Sequence, residues 1–360
     1  MEHRRVFCRY MRWRPTGISA LQLGFLLVLL AFIGGAVSAE GLGLTDQRLA
    51  GERPDASGPP TPIRFGVYLA DVDDIDDVRQ RFTVDLFVNG RWQDPRLALP
   101  ENERSGQPRA MPLDKIWTPR GLIVNDRGLR RQLPLVAQVD DLGNVTYRQR
   151  LSGELAANLN FKEFPFDTQY LPIEIVSYQY SPDEIRFEES GVLVGDAGSF
   201  TVEGWRLRMR APELGEFTIP AAGQVRPRLT YVIEAERVSR YFLLTMFLPM
   251  VLIVFMAWTA FWLQPSMVNP RIGISTASIF TLIALGISVR LRLPPVSYVT
   301  RADLFVIGCT VLVFLALGVA VIGSRWASAD KMVRALKLNA AMRWVYVGLF
   351  GVVVAIAMTI

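Results

Sequence analysis

Apolar and polar positions alternate with a period of two along much of the chain, then give way after Arg240 to long apolar runs. Arg81-Phe82-Thr83-Val84-Asp85-Leu86-Phe87-Val88 and Trp205-Arg206-Leu207-Arg208-Met209-Arg210 carry the alternation most cleanly and predict half-buried strands. Turn signals at Asn89-Gly90, Asn125-Asp126 and Ser181-Pro182-Asp183 cut the segment into short pieces, which favours an antiparallel sandwich over residues 62–240. The apolar runs 241–263, 272–291, 302–323 and 341–360 each approach the ~20 residues that a helix needs to cross a bilayer. At the other end, an arginine-rich stretch, an apolar run from Ile18 to Ile33 and the small residues Gly34 to Ala39 predict a signal peptide over 1–39. Residues 40–61 read as a flexible lead-in.

Composition narrows the function classes. Hydrophobic residues make up 51% of the 360, too many for an ordinary soluble chain. His3 is the single histidine and Cys8 and Cys309 are the only cysteines. A Ser/His/Asp triad, a Cys/His dyad, a zinc site and a disulfide framework all lack parts, so no enzyme, metal or cofactor is expected. Nor is a nucleic-acid partner.

Charge sets the orientation. Residues 40–240 hold 25 basic and 31 acidic side chains, whereas 241–360 hold 9 and 2. The connection from Ser324 to Arg343 carries Arg325, Lys331, Arg334, Lys337 and Arg343 against Asp330, which predicts a cytoplasmic location. Counting crossings back puts Pro270-Arg271 inside and Arg240, Arg290 and Arg292 outside, so the β domain is exported. An inner membrane with a periplasmic or extracellular ectodomain follows.

The second run differs from the others because it contains Ser275, Thr276, Ser278, Thr281 and Ser288. Those hydroxyls either face a water-filled lumen or bond their own helix and its neighbours. Between Arg237 and Ala302 there is no Asp or Glu, so carboxylate rings for cations cannot be built there, while Arg271, Arg290 and Arg292 flank the run. The run Asp71-Val72-Asp73-Asp74-Ile75-Asp76-Asp77 reads as a solvated acidic turn, with proton sensing or weak calcium binding as alternatives.

An ordered series of motifs resembles the pentameric ligand-gated ion channels, the Cys-loop receptor superfamily, and in particular its bacterial members. Trp92-Gln93-Asp94-Pro95-Arg96-Leu97 is similar to the family's W-x-D-x-R-L strand, and Ile116-Trp117-Thr118-Pro119 with Asn125 to its I-W-x-P…N segment. Phe164-Pro165-Phe166-Asp167-Thr168-Gln169 resembles the signature loop, Arg237 the arginine before the first span, and Leu248-Pro249 with Trp258-Thr259-Ala260-Phe261-Trp262 that span. Leu293-Pro294-Pro295-Val296-Ser297-Tyr298 resembles the link between the second and third spans. Ala157 and Leu171 stand where animal receptors have the two loop cysteines.

The resemblance implies an immunoglobulin-like all-β ectodomain on a four-helix transmembrane bundle, assembled with four further copies in membrane lipid. It implies a channel opened by a small-molecule agonist between adjacent ectodomains, and Pro270-Arg271-Ile272-Gly273 resembles the P-x-R-x-G opening of anion-selective members, which implies chloride-like permeation. Pore-lining positions fall on Arg271, Gly273, Ala277, Phe280, Ala284 and Ile287, with Phe280 as a closing ring and Arg290 and Arg292 at the outer mouth. A rotated helix would instead present Ser275, Ser278 and Thr281. Agonist positions fall on Phe87, Val124, Tyr178 and Phe217, the last from the capping loop. The gating interface falls on Phe164, Pro165, Phe166, Asp167, Arg237, Pro294 and Tyr298, with an Asp167–Arg237 ion pair. A cation-conducting or proton-gated member, and a membrane-anchored sensor that passes no current, are the competing readings.

Overall fold

The computed structural model describes residues 50–189, 195–196, 200–220, 223–291 and 295–359. The predicted signal peptide and most of the lead-in lie outside them, as do Arg292 and Pro294. Alternating side chains fold the first part into two sheets. In chain order the strands are β1 (Thr61–Asp76), β2 (Arg81–Gln93), β3 (Arg109–Pro112), β4 (Gly121–Ile123), β5 (Arg130–Arg131), β6 (Val136–Val139) and β7 (Asn144–Ala156). They continue with β8 (Thr168–Ser177), β9 (Ile185–Glu189), β10 (Gly195–Asp196), β11 (Trp205–Met209), β12 (Glu213–Ile219) and β13 (Gln224–Arg237). The larger sheet has the order β10-β1-β2-β7-β6-β3, with β9 beside β1 and β5 beside β7. The smaller has the order β11-β13-β8-β4, with β12 beside β13. Phe82, Val84, Leu86 and Val88 on β2 meet Leu171, Ile173 and Ile175 on β8 in the buried core between the sheets.

Several family-like motifs turn out to be structural. Trp117 is fully buried, crosses Trp92 edge-on at 6.1 Å and donates through Nε1 to Tyr180 Oη at 2.8 Å. Buried Asp94 accepts two bonds from the Arg96 guanidinium, each at 2.8 Å. Asn125 Nδ2 donates to the carbonyls of Ala156 and Pro172, pinning the turn after β4 to β7 and β8. Where a disulfide would close the signature loop, Gln169 Nε2 donates to Asn160 O at 2.8 Å and Asn160 N donates back to Gln169 Oε1 at 2.9 Å. Ala157 and Leu171 are both buried beside this pair of bonds.

Two turn assignments are corrected. Asn89-Gly90 lies in the middle of β2, with Gly90 opposite Phe65 on β1 and Tyr147 on β7. A side chain there would come within 2.9 Å of the Phe65 ring, so the glycine admits an aromatic rather than a reversal. The acidic run is strand too: Asp71 to Asp76 belong to β1, with register shifts at Leu69/Asp71 and Val72/Asp74. Asp71 accepts bonds from Thr201 and from Val72 N, and those bonds outweigh desolvation to hold its carboxyl below the usual value. Among the described residues no acidic group gathers as a metal site.

Four apolar helices follow: α1 (Arg240–Phe261), α2 (Val268–Arg290), α3 (Arg301–Ser328) and α4 (Met332–Thr359). All four are long and apolar enough to cross a membrane, which makes this a multi-pass membrane protein. α3 opens with a capping box in which Thr300 and Asp303 exchange bonds. The predicted connection of 324–343 shrinks to Ala329, Asp330 and Lys331. Charged side chains ended the apolar runs, but Arg, Lys, Ala and Leu all favour helix, so both helices continue beyond the hydrocarbon. At 28 residues each, α3 and α4 measure about 42 Å against about 30 Å of bilayer core.

Candidate functional site

The sandwich meets the helices at a cluster around Arg237, the last residue of β13. Its side chain is buried, with Nε 2.9 Å from Asp167 Oδ1, Nη1 2.7 Å from Asp77 Oδ2 and Nη2 2.9 Å from Asp77 Oδ1. The expected Asp167 pair is present, and Asp77 from the turn after β1 is a third member that sequence reasoning placed in a solvated turn. Two carboxylates share one guanidinium. Desolvation pushes the Asp77 carboxyl above its usual value, reinforced by the neighbouring Asp167 and Asp76 charges and opposed by Arg237. Aromatic faces complete the cage, with the Arg237 guanidinium 4.1 Å from the Trp205 ring, 5.1 Å from Phe164 and 5.7 Å from Phe242 on α1. Phe164 packs edge-on against Phe242 at 4.9 Å, so the signature loop touches the first helix directly. Pro165 is buried beside it and Phe166 half-buried.

The same loop reaches the α2–α3 link. Tyr298 Oη accepts from Phe161 N at 3.0 Å, Lys162 lies over the Tyr298 ring at 5.9 Å, and Arg301 N donates to Lys162 O. One loop thus holds both α1 and the approach to α3.

Helix α2 presents Gly273, Ala277, Phe280, Ala284 and Ile287 on its uncovered side, with Phe280 69% exposed. Of the three positions of the rotated arrangement, Ser275 and Ser278 are buried in this protomer and only Thr281, beside Phe280, is exposed. Ser278 and Thr281 donate to the carbonyls of Ile274 and Ala277 in their own helix. Arg290 is exposed at the end of the helix.

Arg271 must be corrected. Rather than flanking a lumen, it is fully buried inside the bundle. Nε donates to Ala260 O at the end of α1 at 3.2 Å, and Nη2 donates to Asn339 Oδ1 on α4 at 2.8 Å. Asn339 Nδ2 in turn donates to Leu263 O. On the α3 side Gly323 leaves room, since a Cβ there would stand 3.2 Å from Nη1. The arginine therefore ties α2 to α1 and α4 at the end where Arg343 stacks on Trp262 at 4.4 Å.

The agonist positions are spread over the sandwich surface. Phe87 lies on the outer face of β2 beneath the Arg150 guanidinium at 5.5 Å, and Arg150 pairs with Asp85. Next along that face Asn89 is buried, and neither amide atom has a partner. Tyr178, half exposed just after β8, lines a cavity of about 400 Å³ with Trp92, Pro119, Arg120, Arg131 and Tyr147. Val124 directly follows β4 and its N–H bonds the carbonyl of Glu174 on β8, four residues before Tyr178, so one protomer does not bring it into that cavity. Phe217 on β12 stands opposite Arg226 on β13, whose Arg228 faces Val176 of β8. Phe217 and Tyr178 thus share one end of the smaller sheet, while Phe87 sits on the other sheet.

Comparison with known proteins agrees with this two-part architecture. Residues 44–202 match the neurotransmitter-gated ion-channel ligand binding domain and residues 246–337 the neurotransmitter-gated ion-channel transmembrane region. A gamma-aminobutyric acid receptor subunit beta of Caenorhabditis elegans is 28% identical over 287 residues, covering 74% of this chain. The chain spans about half (49%) of that subunit's length. With both domain types in the right order, and with the signature loop, the buried Arg237 cluster and four apolar helices in place, the chain belongs to the neurotransmitter-gated ion-channel family, the Cys-loop receptors.

Proposed function

We propose that five copies of this chain surround a central pathway lined by α2, which opens to small anions when an agonist binds between neighbouring ectodomains. The observation that carries this reading is the uncovered α2 face, Gly273, Ala277, Phe280, Ala284 and Ile287, in a stretch without a carboxylate from Arg237 to Ala302. Five exposed Arg290 side chains at one mouth raise local anion concentration and repel cations. Arg271 plays no part in this selection, because its charge is enclosed by helices. A ring of Phe280 narrows the pathway near mid-membrane, where apolar walls exclude water and ions at rest.

Signal transfer runs from the interface through the signature loop. Phe164 and Asp167 contact α1 and Arg237, while the loop backbone holds Tyr298, so movement of the sandwich bears on the start of α1 and on the link that leaves α2. On the ligand side, Tyr178 and Phe217 form one wall and Phe87, with Asn89 and Arg150, the facing wall of the next copy. The relative's name points to an amino-acid agonist. An aromatic face for an ammonium and an arginine-lined face for a carboxylate suit such a zwitterion.

The test is a planar-bilayer recording under a chloride gradient. The reversal potential should move towards the chloride equilibrium potential, and Arg290→Glu should reduce that movement. A shift towards the cation potential refutes anion selectivity. Silence under every amino acid and at every pH favours the sensor reading, which the apolar character of the uncovered α2 face supports.

A further inference from the structure

The enclosed guanidinium of Arg271 has a chemistry that stapling alone leaves unsatisfied. Of its five N–H groups, the bonds to Ala260 and Asn339 use two, and Nη1 has no partner. No carboxylate is within ion-pair reach among the described residues, and the only acids after Arg237 are Asp303, which caps the far end of α3, and exposed Asp330. Two hydroxyls in the same part of the bundle are also orphaned: Ser275 Oγ, one turn along α2 from Arg271, and Ser324 Oγ, next to Gly323, where a Cβ would stand 3.2 Å from Arg271 Nη1. Both serines are more than nine-tenths buried.

All three groups are covered by helices of their own protomer. Neighbouring copies and lipid therefore cannot supply the missing partners, and only a species small enough to enter the bundle can. The carbonyl end of α1 offsets about half a charge. The remainder favours an anion over water, because a desolvated cation needs a counter-charge as well as acceptors. A carboxylate or phosphate is bulkier than a halide, and Arg271, Ser275 and Ser324 are all enclosed by packed helices. A halide accepts from guanidinium and hydroxyl alike.

We propose that each subunit holds a halide ion inside its helix bundle, bound by Arg271 Nη1 with Ser275 Oγ and Ser324 Oγ as further donors, behind the pore-facing side of α2. The site pins the α1–α2 turn to α3 and α4, so its occupancy ties the position of the pore helix to the halide concentration on that side of the membrane. It does not depend on which ion permeates.

The purified assembly should be heated in sodium bromide, sodium chloride or sodium gluconate at equal ionic strength, with loss of the intact oligomer followed by size exclusion. The midpoint should rise by an equal increment for each tenfold increase in bromide above the dissociation constant, and stay flat in gluconate. Ser275→Val and Ser324→Val, which keep the cation, should each lower the apparent halide affinity about tenfold or more, an effect equivalent to one lost hydrogen bond to a charge. Arg271→Gln should abolish the response. Anomalous scattering from bromide-soaked crystals should place one bromide per subunit within hydrogen-bonding distance of Arg271 Nη1. A midpoint indifferent to halide, a halide response surviving Arg271→Gln, or density for water alone at Nη1 overturns the proposal. A bromide peak confined to the central pathway does so as well.

Discussion

Replacing Arg237 with Met separates a buried ion cluster from an ordinary surface salt bridge. The guanidinium neutralises two carboxylates at once, Asp167 with a side chain 2% exposed and Asp77 at 17%, and makes four bonds of 2.7 to 3.2 Å to them. Met keeps the contacts with Trp205 and Phe164 but leaves two adjacent buried carboxylates without a counter-charge, at a cost of about 3–5 kcal/mol. Asp77→Asn removes only one charged partner and also relieves the repulsion between Asp77 and Asp167, so its cost is about 1–2 kcal/mol. The double variant leaves a single orphaned carboxylate. It should therefore be more stable than the sum of the two losses predicts, with a coupling of about 1 kcal/mol or more. The assay is the thermal midpoint of the intact oligomer, followed by agonist-evoked current for each variant that assembles. If Arg237→Met is no more damaging than Asp77→Asn, or if the losses simply add, the cluster is not the shared buried pair described here.

Four further outcomes follow from the geometry. Because the folded-state pKa of Asp77 is raised, the folded protein takes up this proton more readily than the unfolded chain. The Asp77 contribution to stability should therefore fall as pH rises from about 4 through the raised value, and Asp77→Asn should flatten that part of the pH–stability curve. Phe280→Ala should widen the narrowest apolar ring and produce current without agonist; a variant that stays shut at rest would move the closing point away from Phe280. Gly308→Ala would bring a methyl within 2.4 Å of Val353 Cγ1, so the Val353 side chain or α4 must shift, costing about 1–3 kcal/mol; an unchanged thermal midpoint would contradict that packing. Gln169→Leu should break the reciprocal bonds with Asn160 that close the signature loop, lowering the midpoint and raising the agonist concentration needed for half-maximal current. A normal dose response would show that the loop needs no closure.

The sequence determined the division of the chain. Period-two alternation and unbroken apolar runs report how each segment meets solvent or lipid, and that is a local property, so the sandwich, the four helices and the order of the family motifs could be read without coordinates. The Asp167–Arg237 pair was legible because both residues sit in motifs. Asp77 was not, since its partner lies 160 residues away and nothing in an acidic run says which member turns inward. Tertiary structure also decided that Asn89-Gly90 continues a strand, because the Phe65 ring that requires the glycine comes from β1. Helix ends in the last third escaped the reading because charge ends a hydrophobic run without ending a helix. The orientation of α2 was likewise beyond sequence: a helix apolar on nearly every side carries no stripe to say which face its neighbours cover. Only the packing of α1, α3 and α4 shows that Arg271 is enclosed while Phe280 is left open.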